Sequence, residues 1–420
     1  MIRTTRLSNG VRVLTEEMPN MVSASLGIWV ENGSRYETPE KNGLSHFIEH
    51  LLFKGTKRRT AAQIAEEIDA VGGVLNAFTG KEYTCYYVKV LGEHVAMATD
   101  LLADIFLESV FDPAEVEREH QVVIQEISQA EDTPDDFIHD LFALQFWKDH
   151  PLALPIFGSP ATVNSFDRDA VVKFIDDRYR AERVFIAAAG KLDHDKLAAD
   201  CEKFFTRVKP GAVSDGLTAP RSHPVILNHE KELEQAHIVI GGPGLSSVDP
   251  LRYAGYVLNT ALGGGMSSRL FQEVREKRGR VYSIYSFMSS CADCGYFATY
   301  AGTNPEWVEE VIEVTLGELK KITREALTTP ELDRAKSQIK GNMLLGMEST
   351  DARMNRIARN EIYFRRDVPI EELARGIEAV TNDQIAELAN AWFQPGSMAL
   401  VMVGDLKGRE FGDDIWGPLA

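Results

Sequence analysis

The spacing of hydrophobic and polar residues changes period several times along this chain, and each change marks an element. Residues 2–14 read as a β-hairpin reversing at Asn9-Gly10. Residues 22–30 alternate in the manner of a strand, and Gly33-Ser34-Arg35 then turns the chain. From Gly43 to Phe53 the period becomes helical. Leu44, Phe47, Ile48, Leu51 and Leu52 form one apolar face, and His46, Glu49 and His50 form the other. Lys54-Gly55 supplies the stop. A second helix over 60–71 turns Ile64, Ala65, Ile68 and Val71 inward and ends at Gly72-Gly73. Residues 74–79 and 83–90 read as a strand pair, and 93–106 as a helix.

The next helix has a clear start: Asp112 can cap it, Pro113 suits its first position and Glu115 its third. It is expected over 113–130, with Val116, His120, Val123, Ile124 and Ile127 facing a core. Glu119 and Glu126 lie two turns apart on another edge. Helices over 136–147 and 168–179 and a buried strand over 184–190 complete the pattern.

Much of this order then recurs. Val184 to Gly190-Lys191-Leu192 resembles Met398 to Gly404-Asp405-Leu406, with Gly190 and Gly404 separated by 214 positions. Pro113 to Arg118 resembles Pro330 to Arg334, with the arginines 216 apart. The repeat predicts an α+β protein of two related domains, each a mostly antiparallel sheet packed with helices. The expected boundaries are 1–208 and 225–420. Between them, 209–224 is rich in Pro, Gly, Ser and Asp, has no period, and reads as a linker. At the same offset Glu119 and Glu126 face Ala335 and Asn342, and no H-x-x-E-H stands near Asn259. The copies share a framework, but only the first keeps the polar trio.

A length of 420 residues suits two or three domains, and 26% charged residues suit a globular protein rather than a membrane one. With 45 basic and 63 acidic side chains the net charge is −18, a poor match for nucleic acid. Basic peptides could be steered toward such a surface. No apolar run is long enough to span a bilayer, and no leader pattern opens the chain. Four cysteines (Cys85, Cys201, Cys291, Cys294) are too few for a disulfide scaffold, so a reducing cytoplasm is expected. Cys291-Ala292-Asp293-Cys294 has no second pair to complete a zinc knuckle and reads as a hairpin turn.

Candidate chemistry gathers on the Gly43–Phe53 stretch. His46 and His50 are one helical turn apart, so their imidazoles can share one metal ion, while Glu49 sits beside it. Two nitrogen ligands with an adjacent carboxylate are what a zinc hydrolase needs, and the order H-x-x-E-H is the inverted form of H-E-x-x-H.

With its downstream Glu119-x6-Glu126, the chain resembles the pitrilysin family, in the two-domain, mitochondrial-processing-peptidase-like bacterial branch. The resemblance covers essentially the whole length. It implies a zinc endopeptidase with a processing-peptidase-like metallohydrolase fold. Glu126 would be the third zinc ligand, Glu119 a supporting carboxylate, and Glu49 the acceptor of the water proton. It further implies an oxyanion-supporting Arg275 and Tyr282 in the second domain. Asn76, Ala77 and Phe78 would lie on an edge strand that binds peptide backbone. A homodimer enclosing one zinc per chain is expected, acting on short or unfolded peptides. Two alternatives stand beside it: a non-catalytic scaffold subunit of the same fold, and the zinc-bearing half of a heterodimer.

Overall fold

The computed structural model describes residues 2–213 and 215–419. In chain order the strands are β1 (Ile2–Arg6), β2 (Arg12–Glu17), β3 (Ser23–Val30), β4 (Val74–Thr79), β5 (Thr84–Leu91), β6 (Val184–Gly190), β7 (Val225–Glu230), β8 (Ala236–Pro243), β9 (Val281–Ser290), β10 (Gly295–Thr303) and β11 (Ala399–Gly404). The helices of the first half are α1 (Leu44–Leu52), α2 (Ala61–Asp69), α3 (Val95–Glu108), α4 (Pro113–Asp132), α5 (Pro134–Phe146), α6 (Pro160–Val163), α7 (Arg168–Arg178) and α8 (His194–Phe205). Those of the second are α9 (Arg252–Gly263), α10 (Val308–Glu325), α11 (Thr329–Gly346), α12 (Thr350–Phe364), α13 (Ile370–Glu378) and α14 (Asn382–Trp392). The expected elements are present. Helix α3 starts later than the pattern implied, because Gly92–His94 form a 3-10 turn ahead of it.

Two sheets result. One has the order β1-β2-β6-β3-β5-β4, the other β7-β11-β8-β10-β9. In each, one pair is parallel (β2 with β6, β7 with β11) and the other pairings are antiparallel. The topologies superimpose strand for strand, with β1 the one addition to the first sheet. The sequence repeat is therefore a repeat of architecture.

The two compact units are not the two halves of the chain. One consists of Met1–Gln129, Leu154–Leu217 and Leu345–Asp367; the other of Ala130–Ala153, Thr218–Leu344 and Val368–Ala420. Helix α5 thus belongs with the second sheet and α12 with the first. Alternation along the central strands gives the physical reason. In β6, Val184, Ile186 and Ala188 join the large core beneath α1, α3, α4 and α8, while Phe185, Ala187 and Ala189 point to the opposite face. That face is closed by Met354, Ile357 and Ala358 of α12. In β11, Leu400 and Met402 join the second large core, while Ala399, Val401 and Val403 meet Ile138, Leu141 and Phe142 of α5. Strands apolar on both sides require cover on both sides, and burying one such large side chain stabilises by about 1.5–3 kcal/mol. Close approach is built in at Gly27, where a Cβ would sit 3.2 Å from Met354 Sδ.

One of the five crossings between units falls at Leu217–Thr218, inside the 209–224 stretch. The segment is anchored on each side. Arg183 donates to the Val213 carbonyl (3.1 Å), Arg178 and Arg183 both pair with Asp215, and His223 N–H donates to the Phe146 carbonyl (2.9 Å). Ser214, within the expected linker, lies outside the described residues. Among the described residues no helix is long and apolar enough to cross a membrane.

Candidate metal centre

Helix α1 is placed from its N-terminus. Gly43 takes φ +97°, and a Cβ there would meet the Phe157 carbonyl oxygen at 2.6 Å. Buried Glu37 accepts from the N–H groups of Gly43 (2.8 Å) and Ser45 (2.6 Å), two of the donors a helix start leaves over. Burial nonetheless pushes the Glu37 carboxyl up to about 7, against those hydrogen bonds. Leu44, Phe47, Ile48, Leu51 and Leu52 are buried in the core, as the periodicity predicts, which turns His46, Glu49 and His50 the other way.

Helix α4 brings the distant carboxylates. Its Val116, Val123 and Ile127 enter the same core. His120 stacks on Phe47 (5.1 Å between centroids), and its Nε2–H donates to the Phe166 carbonyl at 2.8 Å. This contact sets the rotation of α4 against α1. Glu119, one residue before His120, and Glu126, six residues after it, then reach the histidines. Glu126 Oε2 lies 3.3 Å from His50 Nε2 and 3.6 Å from His46 Nε2, and the three residues offer ligand atoms all within 4.8 Å of one another.

Protonation sharpens the reading. The Glu119 carboxylate can only accept, so His50 Nδ1 donates to its Oε2 at 3.2 Å. With neutral His50, that leaves the Nε2 lone pair facing Glu126 Oε2. Two acceptors facing each other require a cation or a proton between them, and Glu126 Oε2 is buried with no hydrogen bond. Burial, then the neighbouring His50, hold His46 down to about 3, so it is neutral near pH 7 and able to ligate. Burial alone would lower His50 as well. The Glu119 hydrogen bond and the charges of Glu126, Glu119 and Glu49 outweigh it and raise His50. Burial pushes Glu119 up, but His50 and Lys54 outweigh it and the carboxyl stays low; Lys54 Nζ is 2.6 Å from its Oε1. The donor set, two neutral-capable imidazoles and one carboxylate, is that of a His2Glu zinc centre.

Glu49 stands beside this triad without joining it. Its Oε2 accepts from Thr79 Oγ1 at 2.6 Å, and burial raises its carboxyl above the ordinary range against that bond. Thr79 closes β4, the edge strand of the first sheet. On that strand Asn76 is exposed and Ala77 half-buried, while Phe78 packs against Trp29, Tyr83 and Tyr87 with centroids 5.6–6.2 Å apart.

In the second unit, Arg275 lies in a π-helical turn (Phe271–Glu276) and Tyr282 near the start of β9. The guanidinium sits 5.5 Å from the centroid of the Tyr282 ring, which is 78% exposed. The two are thus brought together in one unit, and His46, Glu49, His50, Glu119 and Glu126 in the other. Sequence reasoning missed Lys54, Thr79 and Glu37. Lys54 had a signal, standing one helical turn beyond His50; Glu37 and Thr79 had none.

This geometry is that of a site able to hold a metal ion with a carboxylate beside it, and comparison with known proteins gives the family. The profile described as Insulinase (Peptidase family M16) matches residues 12–159, and that described as Peptidase M16 inactive domain matches 165–339. The chain belongs to the M16 (insulinase/pitrilysin) peptidase family. It is 42% identical over 419 residues to an uncharacterized zinc protease of Streptomyces coelicolor (97% of this chain, 91% of that protein). It is also 42% identical over 393 residues to an uncharacterized zinc protease of Bacillus subtilis (94% and 96%). Its fold matches the crystal structure of a peptidase M16 inactive domain from Pseudomonas fluorescens (TM-score 0.89, 20% identity, 96% and 98% covered). A protease from Helicobacter pylori matches similarly (TM-score 0.88, 21% identity, 96% and 99%).

Proposed function

We propose that this protein is a zinc endopeptidase that hydrolyses short or unfolded peptides. The observation that carries the reading is the convergence of His46 Nε2, His50 Nε2 and Glu126 Oε2, with Glu49 held alongside by Thr79. These three residues would hold one zinc ion per chain. The chemistry supplied by such an ion is acidification of coordinated water and polarisation of the scissile carbonyl.

The chain's own residues do the rest. Glu49 accepts the proton of the attacking water and returns it to the leaving amine. Glu119 keeps the Nδ1 proton on His50 and so keeps Nε2 available as a ligand. The β4 edge, with Asn76, Ala77 and Phe78, presents backbone groups to which a peptide adds as a strand, a mode indifferent to sequence. Arg275 and Tyr282 support the developing oxyanion. The chain acts as a homodimer that encloses the sites and excludes folded proteins, with the Arg/Tyr pair of one copy serving the metal site of the other. Four cysteine thiols and acidic composition fit a cytoplasmic setting.

The test is a comparison of variants. Glu49→Gln should keep stoichiometric zinc and lose peptide cleavage, whereas Glu126→Ala and His50→Ala should lose both. Near-normal turnover by Glu49→Gln would end the proposed chemistry. For the shared site, an inactive Glu49→Gln chain mixed with an Arg275→Ala/Tyr282→Phe chain should recover activity on subunit exchange. No recovery despite exchange would place both sets in one chain or leave the pair without a role.

A further inference from the structure

The four cysteines differ sharply in setting. Cys85 and Cys201 are fully buried, and burial raises both thiols, which makes them inert. Cys291 and Cys294 stand at the tip of the β9–β10 hairpin, separated by the exposed Ala292 and Asp293. The strand register pairs Ser290 with Gly295, so the next pair outward is Cys291 with Cys294. Cys291 N–H donates to the Cys294 carbonyl at 2.8 Å, the bond expected of direct cross-strand partners. Such partners have Cα atoms about 5.5 Å apart and side chains on one face, within the window a disulfide needs. Both sulfurs do share a face: Cys291 is buried in the cluster with Trp147 and Tyr296, and Cys294 packs against the same cluster from a half-exposed position. The tip is also held. Ser247 N–H donates to the Cys291 carbonyl (2.8 Å), Ser290 Oγ to the Leu245 carbonyl (2.7 Å), and a Cβ on Gly295 would meet Leu245 O at 2.2 Å.

We infer that Cys291 and Cys294 form a reversible dithiol–disulfide pair, a redox modification site separate from the metal centre. The co-reactant is a small-molecule disulfide such as oxidised glutathione. Cys294, the accessible thiol, loses its proton to solvent and attacks one glutathione sulfur; a Cys294–glutathione bond forms and the first glutathione thiolate leaves. Cys291, deprotonated in turn, attacks the Cys294 sulfur; the protein disulfide forms and the second glutathione leaves. Two protein thiols are oxidised and one glutathione disulfide is reduced to two thiols. Because the hairpin already holds the two residues in register, closure requires no change in the sheet.

The experiment uses the intact chain exposed to oxidised glutathione, then denatured for thiol counting and mass analysis. Wild type should fall from four titratable thiols to two, lose two hydrogen atoms in mass, carry no glutathione, and regain all four thiols on reduction. Peptide mapping should place the link between Cys291 and Cys294. Cys291→Ser should stop at the mixed disulfide on Cys294. Cys294→Ser should lose thiols at least ~10-fold more slowly. Four thiols remaining in wild type, a link to Cys85 or Cys201, a stable glutathione adduct on wild type, or unchanged oxidation of Cys294→Ser would each overturn the inference.

Discussion

The two units carry the same strand framework and opposite chemistry. In the first, α1 packs on β4 and β5 and carries His46, Glu49 and His50; in the second, α9 packs on β9 and carries no H-x-x-E-H. Helix α4 supplies Glu119 and Glu126 where α11 has Ala335 and Asn342. Both packings are well formed, so the fold does not need the titratable residues. A buried carboxylate oxygen such as Glu126 Oε2, facing two imidazoles, costs stability unless a cation or proton joins them. That arrangement is retained in one unit and not the other, which is why the proposed function rests on it. The units are alike in one further way: each closes the second face of its sheet with a helix from the opposite half of the chain.

The comparison breaks most sharply at the triad. Glu49→Gln should lower the cleavage rate by about 10²–10⁴ with zinc content unchanged, read by metal analysis beside a quenched-peptide assay. Changing Asn342, the second unit's counterpart of Glu126, to Ala should leave zinc content as it was.

Next in size is the helix exchange. Met354→Ala in α12 should destabilise the first unit by ~2–5 kcal/mol, and Phe142→Ala in α5 the second by ~3–5 kcal/mol. Hydrogen exchange should locate the first loss in β3 and β6 and the second in β8 and β11. If each variant instead loosened the unit of its own half of the chain, the exchange would be wrong.

A smaller effect belongs to Glu37, the buried carboxylate that accepts from two N–H groups at the start of α1. Its folded value of about 7 lies above the ordinary one, so the native state holds the proton more tightly than the unfolded chain. Its contribution is full below the ordinary carboxylate range and is lost as pH rises through about 7, at most ~3 kcal/mol. Thermal midpoints from pH 5 to 8 should show wild type falling relative to Glu37→Gln, and parallel profiles would remove Glu37 as the source. Smallest is Glu119→Gln, which should weaken zinc binding about 10–100-fold while retaining the fold, measured by competition with a chelator.

Local spacing made part of this legible. His46, Glu49 and His50 share a helix face because residues three and four apart must, and the apolar stripe beside them says which way that face turns. The alternating runs gave the strands, and the Gly190/Gly404 recurrence gave the repeat, because both are written at short range or by simple offset. Glu126 was assigned by resemblance alone. No spacing rule says that a glutamate 76 positions beyond His50 comes within 3.3 Å of it.

What only the tertiary structure decided was which distant surfaces meet. The stacking of Phe47 on His120 sets where Glu119 and Glu126 reach, the end of β4 brings Thr79 to Glu49, and Lys54 completes the pairing of Glu119. The same holds for α5 and α12. Their apolar faces announce that they must be covered, but an amphipathic pattern does not name its partner. The partner was chosen by the uncovered faces of β6 and β11, because burial depends on shape and area brought together in space and not on order along the chain.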